Sequence, residues 1–390
     1  MDILSLFGDG EGILQVLWFF SFVIFMMFGS RIMISQTVWK LEKDIADMET
    51  VAEESRKKVE HSIELDSKRK KKLREFMDFF VVSPVSTDPY GIMKKIDVFM
   101  RQSDAKFTRF VNIIAPDLEA VDKMNLKNAL AGAMTTHQIA KTMRHMLETV
   151  KKYKMLQIAM ILQMQIAMIK EMQKAADKAT DAFILGTPIG DGIGPIVAAS
   201  LVPKKSRIVV DKENQCAYAS VKIGKRSVLV AKASGPGATT GYPGRFLTQL
   251  VKEKRISKII TVDAALKMEG EKMGIVREGV GVAMGGNGAD RYAIEEFAVK
   301  SGIPMDAVAI KMNQMQALQA MDKKLLNSVP EAIDKIKEIL EDSKGRVLIL
   351  GVGNTCGVPD SLNGLKETLE NVRKNSPKKP VKKKKRFGLF

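Results

Sequence analysis

The chain has 390 residues, 45% of them hydrophobic and 27% charged, which excludes a disordered or collagen-like polymer and leaves room for two folded units. Two cysteines exclude a disulfide framework and point to a reducing compartment. The net charge is +17, but nine Lys and Arg with no acid fall between Arg373 and Arg386, so the rest is only mildly basic. The charge alone therefore does not require the whole protein to bind nucleic acid.

From Gly12 to Ser30 run nineteen residues without a formal charge, GILQVLWFFSFVIFMMFGS. As a helix this stretch is roughly 28 Å long, close to the hydrocarbon thickness of a bilayer. It is predicted to be a transmembrane helix over 12–35, with Arg31 snorkelling to the interface. A cleaved signal peptide is excluded by the flanks, because residues 1–11 hold Asp2, Asp9 and Glu11 but no Lys or Arg. Arg31, Lys40 and Lys43 follow the run and place the C-terminal side in the cytoplasm. The expectation is a single-pass protein of the cell membrane with an extracytoplasmic N-terminus over 1–11.

Val38, Leu41, Ile45, Met48, Ala52, Ser55 and Val59 recur at alternating three- and four-residue steps. This predicts a helical stalk over 36–80 with a short coiled-coil seam, through which a homo-oligomer can form. The basic run KRKKK (68–72), followed by Arg74, is a solvated helix face or a contact for anionic lipid headgroups. Ser83, Pro84, Asp88, Pro89 and Gly91 mark a loop, and a helical domain is predicted over 81–178. Within it Met155, Met160, Met164, Met168 and Met172 form a stripe, read as core or as the seam for a partner helix. His61, His137 and His145 lie in these helices without Cys or Glu-x-x-His neighbours, so no metal site is read there.

Beyond Thr180 short apolar runs alternate with glycine-rich turns: AFIL (182–185), RIVV (207–210), SVLVA (227–231), KIITV (258–262), AVAI (307–310) and RVLIL (346–350). Helix-sized segments separate several of them. They predict a three-layer α/β domain over 179–372 with a mostly parallel sheet. In such sheets the functional crevice lies outside the C-terminal strand ends, and four loops are placed there. These are GTPIGDGIGP (186–195), SGPGATTGYPG (234–244), VDAA (262–265) and GVGVAMGGNGADR (279–291).

In this order the loops resemble the bacterial germination protease, an unusual aspartic peptidase with the phosphorylase/hydrolase-like fold of the hydrogenase maturation proteases. The matching stretches are Asp191 to Pro195, Pro236 to Gly241, Val262 to Ala265, Gly285 to Arg291, and Gly302 to Ile310. The resemblance implies two catalytic aspartates, at Asp191 and Asp263. Two carboxylates facing one crevice do not both ionise easily, so one acts as acid while the other activates water. The loop GVGNTCGVPDSLNG (351–364) resembles the family's first loop as well as 186–195 does, so Asp360 is the alternative partner for Asp263. Gly192, Gly194, Gly237, Gly241, Gly286 and Asn287 are the substrate-binding positions that these loops offer. The nickel-binding branch of the fold uses a His, and none occurs after Thr180, so neither a metal nor a cofactor is expected. Cys356 is set aside as a nucleophile for the same lack of an activating His.

The last segment, 373–390, reads as a basic disordered tail. Its charges suit an anionic lipid leaflet, with Phe387, Leu389 and Phe390 as apolar anchors, or alternatively RNA. The overall layout is similar to an uncharacterised family of archaeal membrane proteins. The leading functional expectation is a membrane-anchored cytoplasmic hydrolase of aspartic-peptidase type. The alternatives are a binding module holding a phosphorylated ligand at helix N-termini, or a scaffold.

Overall fold

The apolar N-terminal run does not end where its hydrophobicity does. In a computed structural model, which describes residues 10–79, 91–282 and 288–377, it is the start of α1 (Gly10–Ser62), one helix of 53 residues. The helix continues through Glu42, Asp44, Asp47 and Glu49. No helix among the described residues is long and apolar enough to cross a membrane. The transmembrane helix expected over 12–35 is therefore corrected to the opening turns of a longer helix. The single-pass membrane localisation that rested on it is corrected too.

The chain packs as two units, one from residues 1–54 and 135–174, the other from residues 55–134 and 175–390. In the first, the heptad positions of α1 find their partners within the chain. Leu41, Ile45 and Met48 are fully buried, and with Ala52 they meet Ala140, Met143, Leu147 and Val150 of α4 (Ala120–Tyr153). Ala159, Leu162 and Ile166 of α5 (Leu156–Ile184) complete the cluster. Each such Leu or Ile contributes about 1.5–3 kcal/mol of burial, which is what holds these helices together. Around the seam Arg144 pairs with Glu49 at 2.7 Å, Lys151 with Glu42 at 2.8 Å and Lys170 with Asp44 at 2.7 Å. Hydrogen bonds from Lys151 and Arg144 hold the Glu42 and Glu49 carboxyls below their usual range. The methionine stripe faces away from this core: Met160, Met164 and Met168 are exposed, while Ala159, Leu162 and Ile166 point inward.

The second unit begins with helices. Asp66 accepts the Arg69 N–H at 2.7 Å and caps α2 (Ser67–Met77). Leu73 and Met77 of α2 pack on Phe110, Val111 and Ile114 of α3 (Ile92–Ile114). The start of α4 adds Leu126, Ala129, Leu130 and Ala133, and the end of α5 adds Ala179, Ala182 and Phe183. The run AFIL, expected as a strand, is thus mostly the last turn of α5. Ala179, Ala182 and Phe183 recur at steps of three and four, and so lie on one helix face.

The sheet has seven strands in the order β1-β2-β3-β7-β4-β6-β5. These are β1 (Ile208–Asp211), β2 (Cys216–Ile223), β3 (Arg226–Ala233), β4 (Ile256–Leu266), β5 (Val276–Val280), β6 (Met305–Met312) and β7 (Arg346–Gly351). β3, β7, β4 and β6 pair in parallel, whereas β1, β2 and β5 pair antiparallel to their neighbours. The sheet is mixed, not mostly parallel. Alternation along the central strands serves two cores. Val347 and Ile349 face α6 (Ile193–Leu201), α10 (Ser328–Glu341) and α11 (Leu365–Asn375). Leu348 and Leu350 face α7 (Pro243–Lys254) and α8 (Gly288–Ser301). α9 (Gln314–Leu318) is a single capped turn after β6, and α11 extends to Asn375, into the segment expected to begin the tail.

Candidate functional site

The loops beyond the C-terminal ends of β3, β4 and β7 meet at one place, and glycines let them meet. Gly194, in the first turn of α6, has no Cβ to clash. A Cβ there would stand 2.3 Å from the carbonyl oxygen of Val352 and 2.4 Å from that of Val262. The Val262 carbonyl also accepts the Val352 N–H at 2.8 Å, so β7 stays tied to β4 beyond its last strand residue. Gly353, with φ at +130°, takes a conformation closed to other side chains, and a Cβ there would meet the Asp191 carbonyl oxygen at 1.9 Å.

Asp191 lies in the 3-10 turn Gly190–Gly192 that opens α6. The Gly190 N–H donates to Gln319 O at 3.0 Å, and the Met321 N–H donates to Pro188 O at 2.8 Å, pinning the approach to the turn. The Asp191 carboxylate accepts the Asn354 N–H at 2.9 Å. The residue as a whole is partly exposed, but its carboxyl is buried. Loss of hydration pushes its carboxyl above the usual range, and the Asn354 N–H opposes this more weakly.

Asp263 stands in β4, opposite Ala309 of β6 and directly after Val262. It is 1% exposed, and its Oδ1 accepts the Ala264 N–H at 2.6 Å. Asp191 thus contacts the stretch from Val352 to Asn354 through Asn354, and Asp263 lies next in sequence to Val262, whose carbonyl is bonded to Val352.

Asp360 is committed elsewhere. Its Oδ1 accepts Lys232 Nζ at 2.6 Å and the Gly235 N–H at 2.8 Å, and Ser234 Oγ donates to Oδ2 at 3.3 Å. Lys232 is buried at the end of β3, and its Nζ also donates to Ala233 O at 2.9 Å. Burial pulls the Lys232 pKa down, and the neighbouring Asp360 carboxylate works against that pull. Through Ser234 and Gly235, Asp360 ties the loop 234–244 to the loop 351–364.

The glycines expected to receive substrate face protein at short range. A Cβ on Gly192 would lie 2.9 Å from Asn354 O, one on Gly237 2.7 Å from Met124 Sδ, and one on Gly241 2.9 Å from Gln215 O. Gly286 and Asn287 lie outside the described residues. Just after them, Asp290 in the first turn of α8 accepts the Gly244 N–H at 3.0 Å, and burial raises its carboxyl pKa. Cys356 is fully buried, and burial pushes its thiol up to about 12.

Four residues of this region are not singled out by the sequence, although Asn354 lies within one of the loop motifs. Asn125 and Asn128, one turn apart on α4, grip the second loop. Asn125 Oδ1 accepts the Ala238 N–H at 2.9 Å, and Asn128 Nδ2 donates to Ala238 O at 2.7 Å. Asn354 links both sides, donating to Asn128 Oδ1 at 3.4 Å and accepting the Cys356 N–H at 2.9 Å. Lys232 is the fourth, and its signal is a lone Lys in the otherwise apolar stretch VLVAKA (228–233). Among the described residues no cluster of His, Cys, Asp and Glu could hold a metal ion.

No curated protein and no solved structure matches the chain. A family model described as the N-terminal domain of a protein of unknown function (DUF1512) matches residues 15–186. A second, described as the C-terminal domain of unknown function (DUF1512), matches residues 189–359. The boundary between the two matches falls between α5 and the turn that holds Asp191. The chain belongs to the DUF1512 family and contains both its N-terminal and its C-terminal domain.

Proposed function

We propose that the α/β part of this chain is a hydrolase of the aspartic-peptidase type, with Asp191 and Asp263 as the acid–base pair. The observation that carries the reading is the state of Asp191. It is a buried carboxyl, biased toward its protonated form and bonded to Asn354, in the loop that also pairs with the β4 residue just before a second, buried aspartate. Asp360, the other candidate, is neutralised by Lys232 and serves the loops. The likeness of loop order to the germination protease supports the same pair.

In this reading Asp263 takes a proton from water as the oxygen attacks the amide carbon. Protonated Asp191 gives its proton to the carbonyl oxygen. When the tetrahedral adduct collapses, the C–N bond breaks, the amine leaves with a proton from Asp263, and Asp191 recovers its own. The test is a peptide-library screen of the full chain beside Asp191→Asn and Asp263→Asn. Cleavage by the wild type, lost by at least about a thousandfold in either variant and little further in the double variant, is the expected result, because paired groups act as a unit. Cleavage that survives both substitutions contradicts it.

A second reading has its own observation. The glycines at 192, 194, 237 and 241 are packed against neighbouring backbone or side chains, so they join loops to one another, which suits a non-catalytic scaffold. A folded wild type that cleaves nothing in the screen favours this reading.

A further inference from the structure

Far from the aspartates in sequence, α2 and α3 enclose a surface cavity of about 590 Å³ lined by Phe76, Phe79, Phe110 and Ile113, with Lys72, Lys106, Glu75 and Asp78 among its polar lining. Its size falls in the range of about 300–1,000 Å³ typical of small-ligand pockets. The phenyl rings are held in place by one another. Phe76 stacks on Phe110 at 3.9 Å and on Phe79 at 5.3 Å between centroids, and Phe107 meets both Phe76 and Phe79 edge-on. Lys106 Nζ lies 5.4 Å from the centre of the Phe79 ring.

The charge beside this cavity is concentrated. Six of the eleven residues of α2 are Lys or Arg, against one acid, Glu75. Lys68, Lys71, Lys72 and Arg74 are exposed, while Leu73 and Met77 turn into the core. Among the described residues only Arg69 of the six has an ion pair, a long one to Asp66 at 3.9 Å. A helix built this way gains little for its own fold from most of these charges, since lysines packed together repel one another. They suit a polyanion.

We propose that α2 and this cavity bind a single-stranded polynucleotide, with phosphates along Lys68, Lys71, Lys72 and Arg74 and one base in the phenyl-lined cavity. Aromatic faces beside a basic track are the means by which sequence-tolerant single-strand binding works. Glu75 and Asp78 favour this occupant over an anionic lipid. Carboxylates at the cavity repel a lipid phosphate, whereas they accept hydrogen bonds from the amino groups of bases.

Fluorescence anisotropy of the full chain with a labelled single-stranded RNA of about 16 nucleotides tests this, run across about 50–200 mM salt. Every variant keeps the basic C-terminal tail, so differences report α2 and the cavity alone. Lys71→Gln with Lys72→Gln should weaken binding at least about tenfold and make the salt slope shallower by about 1.4, the loss of two phosphate contacts. Phe79→Ala should weaken RNA binding about tenfold and leave binding to heparin, a polyanion without bases, unchanged. Should Phe79→Ala melt early by circular dichroism, Lys106→Gln takes its place and should weaken RNA binding severalfold. Wild type that does not bind RNA, a double Lys variant with unchanged affinity and slope, or binding to phosphatidylglycerol vesicles without binding to RNA would each overturn the proposal.

Discussion

Among the described residues, Lys232 and Asp360 form the one ion pair of the candidate region in which both side chains are largely buried, at 4% and 12% exposed. Such a pair adds little net stability over an apolar packing, because both charges lose their hydration. Breaking it from one side is costly, since the remaining charge stays buried alone. Asp360→Ala should lower stability by about 3–5 kcal/mol in denaturant melts, and replacing both residues by apolar ones of similar size should restore much of the loss. A loss well under 1 kcal/mol for the single variant would mean the pair is solvated. Asp191 differs in kind, because its folded-state pKa lies above that of the unfolded chain. Its ionised form is the disfavoured one, so this group takes stability away as pH rises through the ordinary carboxylate range toward its folded-state value.

At the scale of elements, α6 is seated by its glycine. Gly194→Ala would place a methyl 2.3 Å and 2.4 Å from two carbonyl oxygens, both backbone atoms that cannot swing aside. It should cost at least about 1–3 kcal/mol in thermal melts, and the displaced helix should take Asp191 with it. Gly224→Ala makes the useful contrast, because nothing lies within 4 Å and only its φ of +58° is strained. It should cost about 1 kcal/mol. The elements that were legible in the sequence were those with a continuous or periodic apolar run: β1, β3, β4, β6, β7 and the heptad face of α1. β2 escaped because CAYASVKI alternates small and polar residues on an antiparallel hairpin, and β5 because VREGV exposes four of its five residues at the sheet edge. AFIL misled for a physical reason, since four apolar residues fit the end of a helix as well as a strand. Of the two readings of the methionine stripe only the core one fails, because apolar character alone does not say which face of a helix is inward.

At the scale of the molecule, the loop order along the chain offers Asp191, Asp263 and Asp360 as candidates without choosing among them. The choice depends on Lys232 and Asn354, which meet the aspartates only once β3, β4 and β7 lie side by side. Asn125 and Asn128 come from a helix more than a hundred residues before the loop they hold, and no local pattern announces that contact. The long apolar run misled in the other direction: it was read as an element of its own, where the chain makes it the start of a helix of 53 residues.

The most direct test of the central claim needs no substrate. Aspartate carboxyl carbons in the full chain can be labelled and titrated by NMR, with Asp191→Asn used to assign the signal. If Asp191 and Asp263 share one charge environment, Asp191 titrates well above the ordinary value of about 3.9. In Asp263→Asn its midpoint moves down, because a neighbouring negative charge has been removed. An Asp191 that titrates in the ordinary range, or whose midpoint is indifferent to Asp263→Asn, would show that the two carboxyls do not act as a pair.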